Sequence, residues 1–114
     1  MTKEKPYNLD AIFEALGNAH RREIIYTLGL QPCSISQLAT MRDLSLPAIH
    51  KHIKVLENAG LLKRKKNGRT NFLILNRAAL RCMQDWVMQY HTYWGNDEET
   101  LENYMDYLNK GSKK

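Results

Sequence analysis

The run from Ser45 to Leu75, SLPAIHKHIKVLENAGLLKRKKNGRTNFLIL, changes its hydrophobic period once, at Gly60. Before the glycine, Ile49, Ile53 and Leu56 recur at i, i+4 and i+7, the spacing of one buried stripe on an α-helix. Ser45 offers an N-cap oxygen, and Pro47 stands in the first turn, where its missing N–H costs little. Gly60 after Ala59 is a helix stop. Beyond it come two strand-like runs, LLKRKK and TNFLIL, joined through Asn-Gly-Arg, a strong hairpin signal. Few folds accept a capped helix followed directly by a cationic hairpin.

The flanking sequence narrows the choice. Residues 1–8 read as a flexible arm ending at Asn8, an N-cap for a first helix striped by Leu9, Ile12, Phe13 and Leu16. A second helix is expected over roughly His20 to Leu28, with Ile24, Ile25 and Leu28 inward and a stop at Gly29. Ser34 and Gln37 have capping-box spacing and open a short third helix to about Met41. After the hairpin, Asn76 is expected to cap a long helix carrying Leu80, Met83, Trp86, Val87, Tyr90 and Trp94, and Leu101, Tyr104, Met105 and Leu108 mark a last one. The fold class is mostly α with a small β-hairpin. A short helix, a tight turn, a second helix and a basic hairpin make a winged helix-turn-helix. Residues 9–94 form its domain, and residues 95–114 an acidic C-terminal helix with a disordered basic tail, KGSKK.

Charge is divided along the chain. From Met41 to Arg81 there are ten Lys or Arg against Asp43 and Glu57, a net +8, while Asp85 to Asn109 holds six acids and no Lys or Arg, a net −6. Such separation implies a cationic working face. No apolar run approaches the roughly 20 residues of a membrane span, and the N-terminus lacks the apolar core of a secretory signal. Cys33 and Cys82 are too few for a disulfide-built secreted domain, so a cytoplasmic protein is expected, without a membrane partner.

His50 and His52 invite a metal reading, but at about 100° per residue they lie roughly 200° apart and cannot hold one ion from a regular helix. His52 lies beside Ile53 and is expected half-buried at the packing seam. Pro47, His50, Lys51 and Lys54 share the opposite side. An α-helix fits the major groove of DNA with its N-terminal residues at the base edges, so Ser45, Pro47, His50 and Lys51 are candidate base contacts and Lys54 a phosphate contact. In the wing, alternation turns strand residues to opposite sides, so only some of its cations can face DNA. The tip, Lys65, Lys66, Asn67, Gly68 and Arg69, escapes that limit, and Lys66 and Arg69 are placed to flank the minor groove or its phosphates. The expected partner is double-stranded DNA.

ALGNAHRREIIYTL, SISQLA and LSLPAIHKHIKVLENAGLLKRKKNGRTNFLIL resemble the successive motifs of the ArsR-type winged-helix repressors, over about Leu9 to Trp94. The resemblance implies a homodimeric transcriptional regulator, usually a repressor, whose first and last helices form the dimer interface: Leu9, Ile12 and Phe13 on one, Leu80, Met83, Trp86, Val87, Tyr90 and Trp94 on the other. The apolar side of the long helix, larger than one small domain needs, agrees. A twofold dimer would set two recognition helices about 34 Å apart on a near-palindromic operator. Three departures stand out. The family's Cys-x-Cys is missing from SISQLATMRDL, and Asp85 and His91 do not reproduce its Asp-x-His and His-x-x-Glu pairs, so no metal or other cofactor is expected. His50 stands where the resemblance leads one to expect serine. The acidic final helix resembles a metal-independent branch, whose inducer does not follow from the motif.

Two other readings compete. Cys33, in a turn after Pro32, or Cys82 could make the chain a thiol-based redox sensor if accessible and acidic enough. Alternatively, the basic wing could grip an acidic protein. Catalysis is not expected: the four histidines are spread over three predicted helices, and the glycines are scattered at breaks.

Overall fold

A computed structural model describes residues 7–90 and 97–112. The elements run α1 (Leu9–Leu16), α2 (Ala19–Leu30), β1 (Cys33–Ser34), α3 (Ile35–Arg42), α4 (Leu46–Asn58), β2 (Leu62–Asn67), β3 (Thr70–Leu75), α5 (Arg77–Met88) and α6 (Asp97–Ser112). The chain forms two compact units that divide between Cys82 and Met83. The boundary expected at Trp94–Gly95 lies outside the described residues.

The first unit is a winged helix-turn-helix. Its core is Ile12, Ile24, Leu38, Ile49, Ile53, Leu56, Leu61 and Leu73, all essentially inaccessible to water. The first four helices each begin where a side chain can serve their free N–H groups. Asn8 Oδ1 accepts from Asp10 N at 2.8 Å, and Asn18 Oδ1 from Arg21 N at 3.1 Å. Ser34 and Gln37 complete the capping box in both directions, at 3.2 and 2.8 Å. At the far end of α1, the guanidinium groups of Arg21 and Arg22 donate to Ala15 O at 2.6 Å and Leu16 O at 2.8 Å, where the helix dipole favours a cation.

α3 and α4 both end in Schellman turns. At Asp43 (φ 56°) the N–H groups of Asp43 and Leu44 return to Thr40 O and Ala39 O, and at Gly60 (φ 81°) those of Gly60 and Leu61 return to Glu57 O and Leu56 O. The first makes the bend of the helix-turn-helix; the second launches the wing.

Several expectations change. Gly29 does not end α2, which runs one further residue to Leu30. The hairpin is part of a three-stranded antiparallel sheet in the order β1-β3-β2, because Cys33 and Ser34 pair with Leu73 and Phe72. Asn67 is the last strand residue, paired with Thr70, so the turn is Gly68-Arg69 rather than Asn-Gly. Gly68 alone of the two has positive φ, as in a type II′ turn.

Tyr7 is not part of a free arm. Its ring lies against Gly60, and its hydroxyl accepts from Asn76 Nδ2 at 3.0 Å. Asn76, expected to cap α5 through its side chain, also donates from Nδ2 to Gly60 O at 2.7 Å, while its backbone N–H donates to Leu61 O at 2.8 Å. Ile12, assigned by resemblance to a dimer interface, is fully buried in its own unit, whereas Phe13 is 40% exposed and Leu9 half-buried. The difference follows from which side of α1 faces α4 and α2.

In the second unit, α6 continues to Ser112, so Lys110, Gly111 and Ser112 are helical rather than a disordered tail. Trp86 and Tyr90 meet edge to face, with ring centroids 5.0 Å apart. Val87, Leu101, Tyr104, Met105 and Leu108 are exposed. Trp94 and His91 lie outside the described residues.

Candidate nucleic-acid interface

α4 is anchored by Ile49, Ile53 and Leu56, which leaves Pro47, His50, Lys51 and Lys54 on its outer stripe, all exposed. Ser45 Oγ accepts from Ala48 N at 3.3 Å, so the cap consumes one lone pair and leaves the hydroxyl proton free to donate. The outer stripe therefore begins, at the helix N-terminus, with donors and acceptors of hydrogen bonds and continues into cations.

His52 is half-buried at the seam, as its neighbour Ile53 implies. Its ring lies 5.6 Å from that of His20, and Arg21 Nη1 approaches its Nδ1 at 3.4 Å. Arginine can only donate, so this contact requires an unprotonated Nδ1. Burial lowers the His52 pKa below its ordinary value, and the positive charge of Arg21, His20 and Lys51 adds to the effect. His52 thus serves the α2–α4 packing, while His50, two residues away, faces outward.

In the wing, alternation separates the cations. Leu62, Arg64 and Lys66 share the side of Leu73 and Leu75; Lys63, Lys65 and Asn67 share that of Phe72 and Ile74. Arg64 is committed. Its Nε and Nη2 grip both oxygens of Glu57 on α4, at 2.6 and 3.2 Å, which raises the guanidinium pKa further. Lys65, Lys66, Asn67, Gly68 and Arg69 are exposed at and beside the tip. The outer stripe of α4 and the wing tip thus both present exposed cations on the first unit.

No sequence signal pointed to the group that closes around the root of the wing. Asn76, Gly60 and Tyr7 join the end of α4, the root of the wing, the start of α5 and the N-terminal segment. A local pattern could show the Gly60 stop, but not the distant residues that close around it.

Cys33 corrects the redox reading. It is fully buried rather than exposed in a turn, and burial raises its thiol pKa, the opposite of what a reactive thiolate needs. Cys82 is half-buried. Among the described residues, no cluster of three or more His, Cys, Asp or Glu could hold a metal ion, and no helix is long and apolar enough to cross a membrane.

A helix-turn-helix with an exposed polar stripe on its second helix and a cationic wing behind it defines a class: winged-helix proteins that bind duplex nucleic acid. Comparison with known proteins narrows this. Residues 18–64 match the family model described as bacterial regulatory protein, arsR family. The chain is 40% identical over 89 residues to the uncharacterized HTH-type transcriptional regulator YuzN of Bacillus subtilis, covering 70% of this chain and 96% of that protein. Among solved structures it is similar to an ArsR-like transcriptional regulator from Rhodococcus sp. RHA1, with TM-score 0.72, 27% identity and 90% of each chain covered. It also shares the fold of the homodimeric winged helix-turn-helix DNA-binding domain of Mb0332 from Mycobacterium bovis, with TM-score 0.58, 18% identity, and 74% and 84% of the two chains covered. The chain belongs to the ArsR family and is a DNA-binding transcriptional regulator. The family and these relatives are regulators of transcription, not enzymes.

Proposed function

We propose that the protein is a homodimeric repressor that occupies a near-palindromic operator and so blocks its promoter. The observation that carries this is the exposed stripe Pro47, His50, Lys51 and Lys54, backed by the core stripe of the same helix. In this reading α4 enters the major groove: Ser45, Pro47, His50 and Lys51 meet base edges, and Lys54 meets phosphate. Lys65, Lys66 and Arg69 flank the adjacent minor groove, with Asn67 and Gly68 shaping the turn. His50 has both hydrogen-bonding roles where the family resemblance leads one to expect serine, so the operator differs from that of serine-bearing relatives at the base pair it reaches.

Dimerisation is supported by the exposed apolar side chains of Trp86 and Val87 on α5 and of Tyr90 just beyond it, with half-buried Leu80 and Met83 on the same helix as Trp86. Leu9 and Phe13 of α1 belong to the same interface in this reading. The homodimeric state of the Mycobacterium bovis domain supports it too. A regulator of this kind works in the cytoplasm, on the nucleoid when bound.

Selection of bound fragments from random duplex DNA tests the proposal. The expected product is one motif with twofold symmetry and half-sites about one helical turn, ~34 Å, apart. An asymmetric motif would remove the dimer, and no enrichment would remove sequence-specific binding.

A further inference from the structure

The side of the hairpin opposite Leu73 and Leu75 carries a shallow trough. Phe72 and Ile74 form its floor, Gln31 and Pro32 its wall, and Lys65 and Asn67 its tip end, with the neighbouring Lys66 at the rim, around a volume of about 470 Å³. A second hollow, of about 230 Å³, shares Gln31, Pro32 and Ile74 and runs on to Leu30 and Arg77. The two hollows adjoin at these shared residues, with Lys65 lining the first and Arg77 the second. Arg77 is held there by donating from Nη2 to Gly29 O at 3.1 Å. Leu30 leaves 71% of its surface in water beside it. Among the described residues, those lining both hollows include no Asp or Glu.

We propose that this trough binds a small amphipathic anion, an aromatic carboxylate with a flat apolar body. The larger hollow falls within the ~300–1,000 Å³ of small-molecule sites, and its lining has their usual character, an apolar surface with a few polar groups at the rim. Charge complementarity selects the ligand. A neutral aromatic would cover Phe72 and Ile74 but leave the lysines and Arg77 unmatched, and a bare phosphate would use the cations but not the floor. A carboxylate on a ring system uses both. Lys65 and Lys66 are also cations that the proposed function assigns to DNA, beside the minor groove. The ligand and the operator then compete for them, and each weakens the other's binding by the same factor. This regulatory step rests on the proposed DNA contacts; the binding site does not.

The test uses the uniformly ¹⁵N-labelled full chain, titrated with 1-naphthoate and, separately, with neutral 1-naphthalenemethanol, followed by amide chemical shifts. Expected are saturable shifts at Gln31, Lys65, Phe72 and Ile74, and affinity for the carboxylate at least about fivefold higher than for the alcohol. Lys65→Gln and Arg77→Gln, both at exposed positions, should each reduce naphthoate affinity about threefold or more while leaving the rest of the amide spectrum in place. Shifts centred on α5 or α6, equal affinity for acid and alcohol, or no saturation by about 10 mM would overturn the site. Repeating DNA binding with and without saturating naphthoate separates the two levels. A trough that binds naphthoate while duplex affinity stays constant overturns the competition alone. A chain that ignores duplex DNA overturns the proposed function, and the amide shifts still decide the site.

Discussion

His52 shows how one side chain ties α4 to its support. In the folded chain, burial and then the charges of Arg21, His20 and Lys51 disfavour its protonated form, so its pKa lies below the 6.5 of an ordinary histidine. Between those two values the unfolded chain takes up a proton that the folded chain does not. Its contribution to stability is therefore complete above 6.5 and is lost as pH falls through the lowered value. Urea midpoints at about pH 7.5 and about pH 5.5 should differ, and His52→Gln should narrow the gap; an unchanged gap would mean that other groups carry the acid sensitivity. Gly60 makes a second residue-scale case. It and Gly68 both have positive φ, but a Cβ on Gly60 would lie 2.8 Å from the Tyr7 ring, whereas one on Gly68 meets nothing within 4 Å. Gly68→Ala should cost about 1 kcal/mol from the backbone alone, and Gly60→Ala about 2–3 kcal/mol, measured as denaturation free energies. Equal costs would show that Tyr7 yields freely.

At the scale of elements, the wing is two devices on one hairpin. Its root is structural: Leu62, Leu73 and Leu75 are buried and Arg64 is clamped to Glu57. Its tip is exposed and cationic. Arg64→Ala should therefore leave the salt dependence of DNA binding unchanged and cost about 0.5 kcal/mol of stability, since the pair is partly open to solvent and screened. Arg69→Ala should do the reverse, leaving stability alone and flattening the slope of log K against log salt by about 1 for each phosphate that Arg69 neutralises. Salt titrations of both variants on one duplex check this, and a flattened slope for Arg64→Ala would show that the ion pair opens on DNA.

For the whole molecule, the two halves of the chain have opposite electrostatic characters. The cations concentrate between Met41 and Arg81, and the acids between Asp85 and Asn109. A dimer that neutralises about six phosphates should show a slope of about −5. Val87, 46% exposed on α5, tests the association directly. If the proposed dimer forms through this side of α5, Val87→Glu should sediment as a monomer at concentrations where the unmodified chain associates, with the slope roughly halved. A dimer that survives this substitution would move the interface off that side of α5.

Local chemistry is legible in the sequence alone. Asn8, Ser34 with Gln37, and Ser45 start helices because a side-chain oxygen can satisfy N–H groups two or three residues on, an interaction confined to adjacent sequence. The Ile49, Ile53 and Leu56 stripe fixes which way α4 turns, and with it the outward side holding His50 and Lys51. Periodicity does not decide matters that depend on residues far away in the chain. It ranks Ile12 and Phe13 alike, yet only Ile12 lies beneath neighbouring helices. Arg64 resembles any other wing cation until Glu57 comes within reach, and Cys33 resembles a turn residue until Leu73 pairs with it. Nor does spacing along the chain bring Tyr7 and Asn76 around Gly60. Caps and stripes are written in contiguous residues; burial, ion pairing and the closure around the root of the wing are properties of surfaces that exist only once the chain has closed on itself.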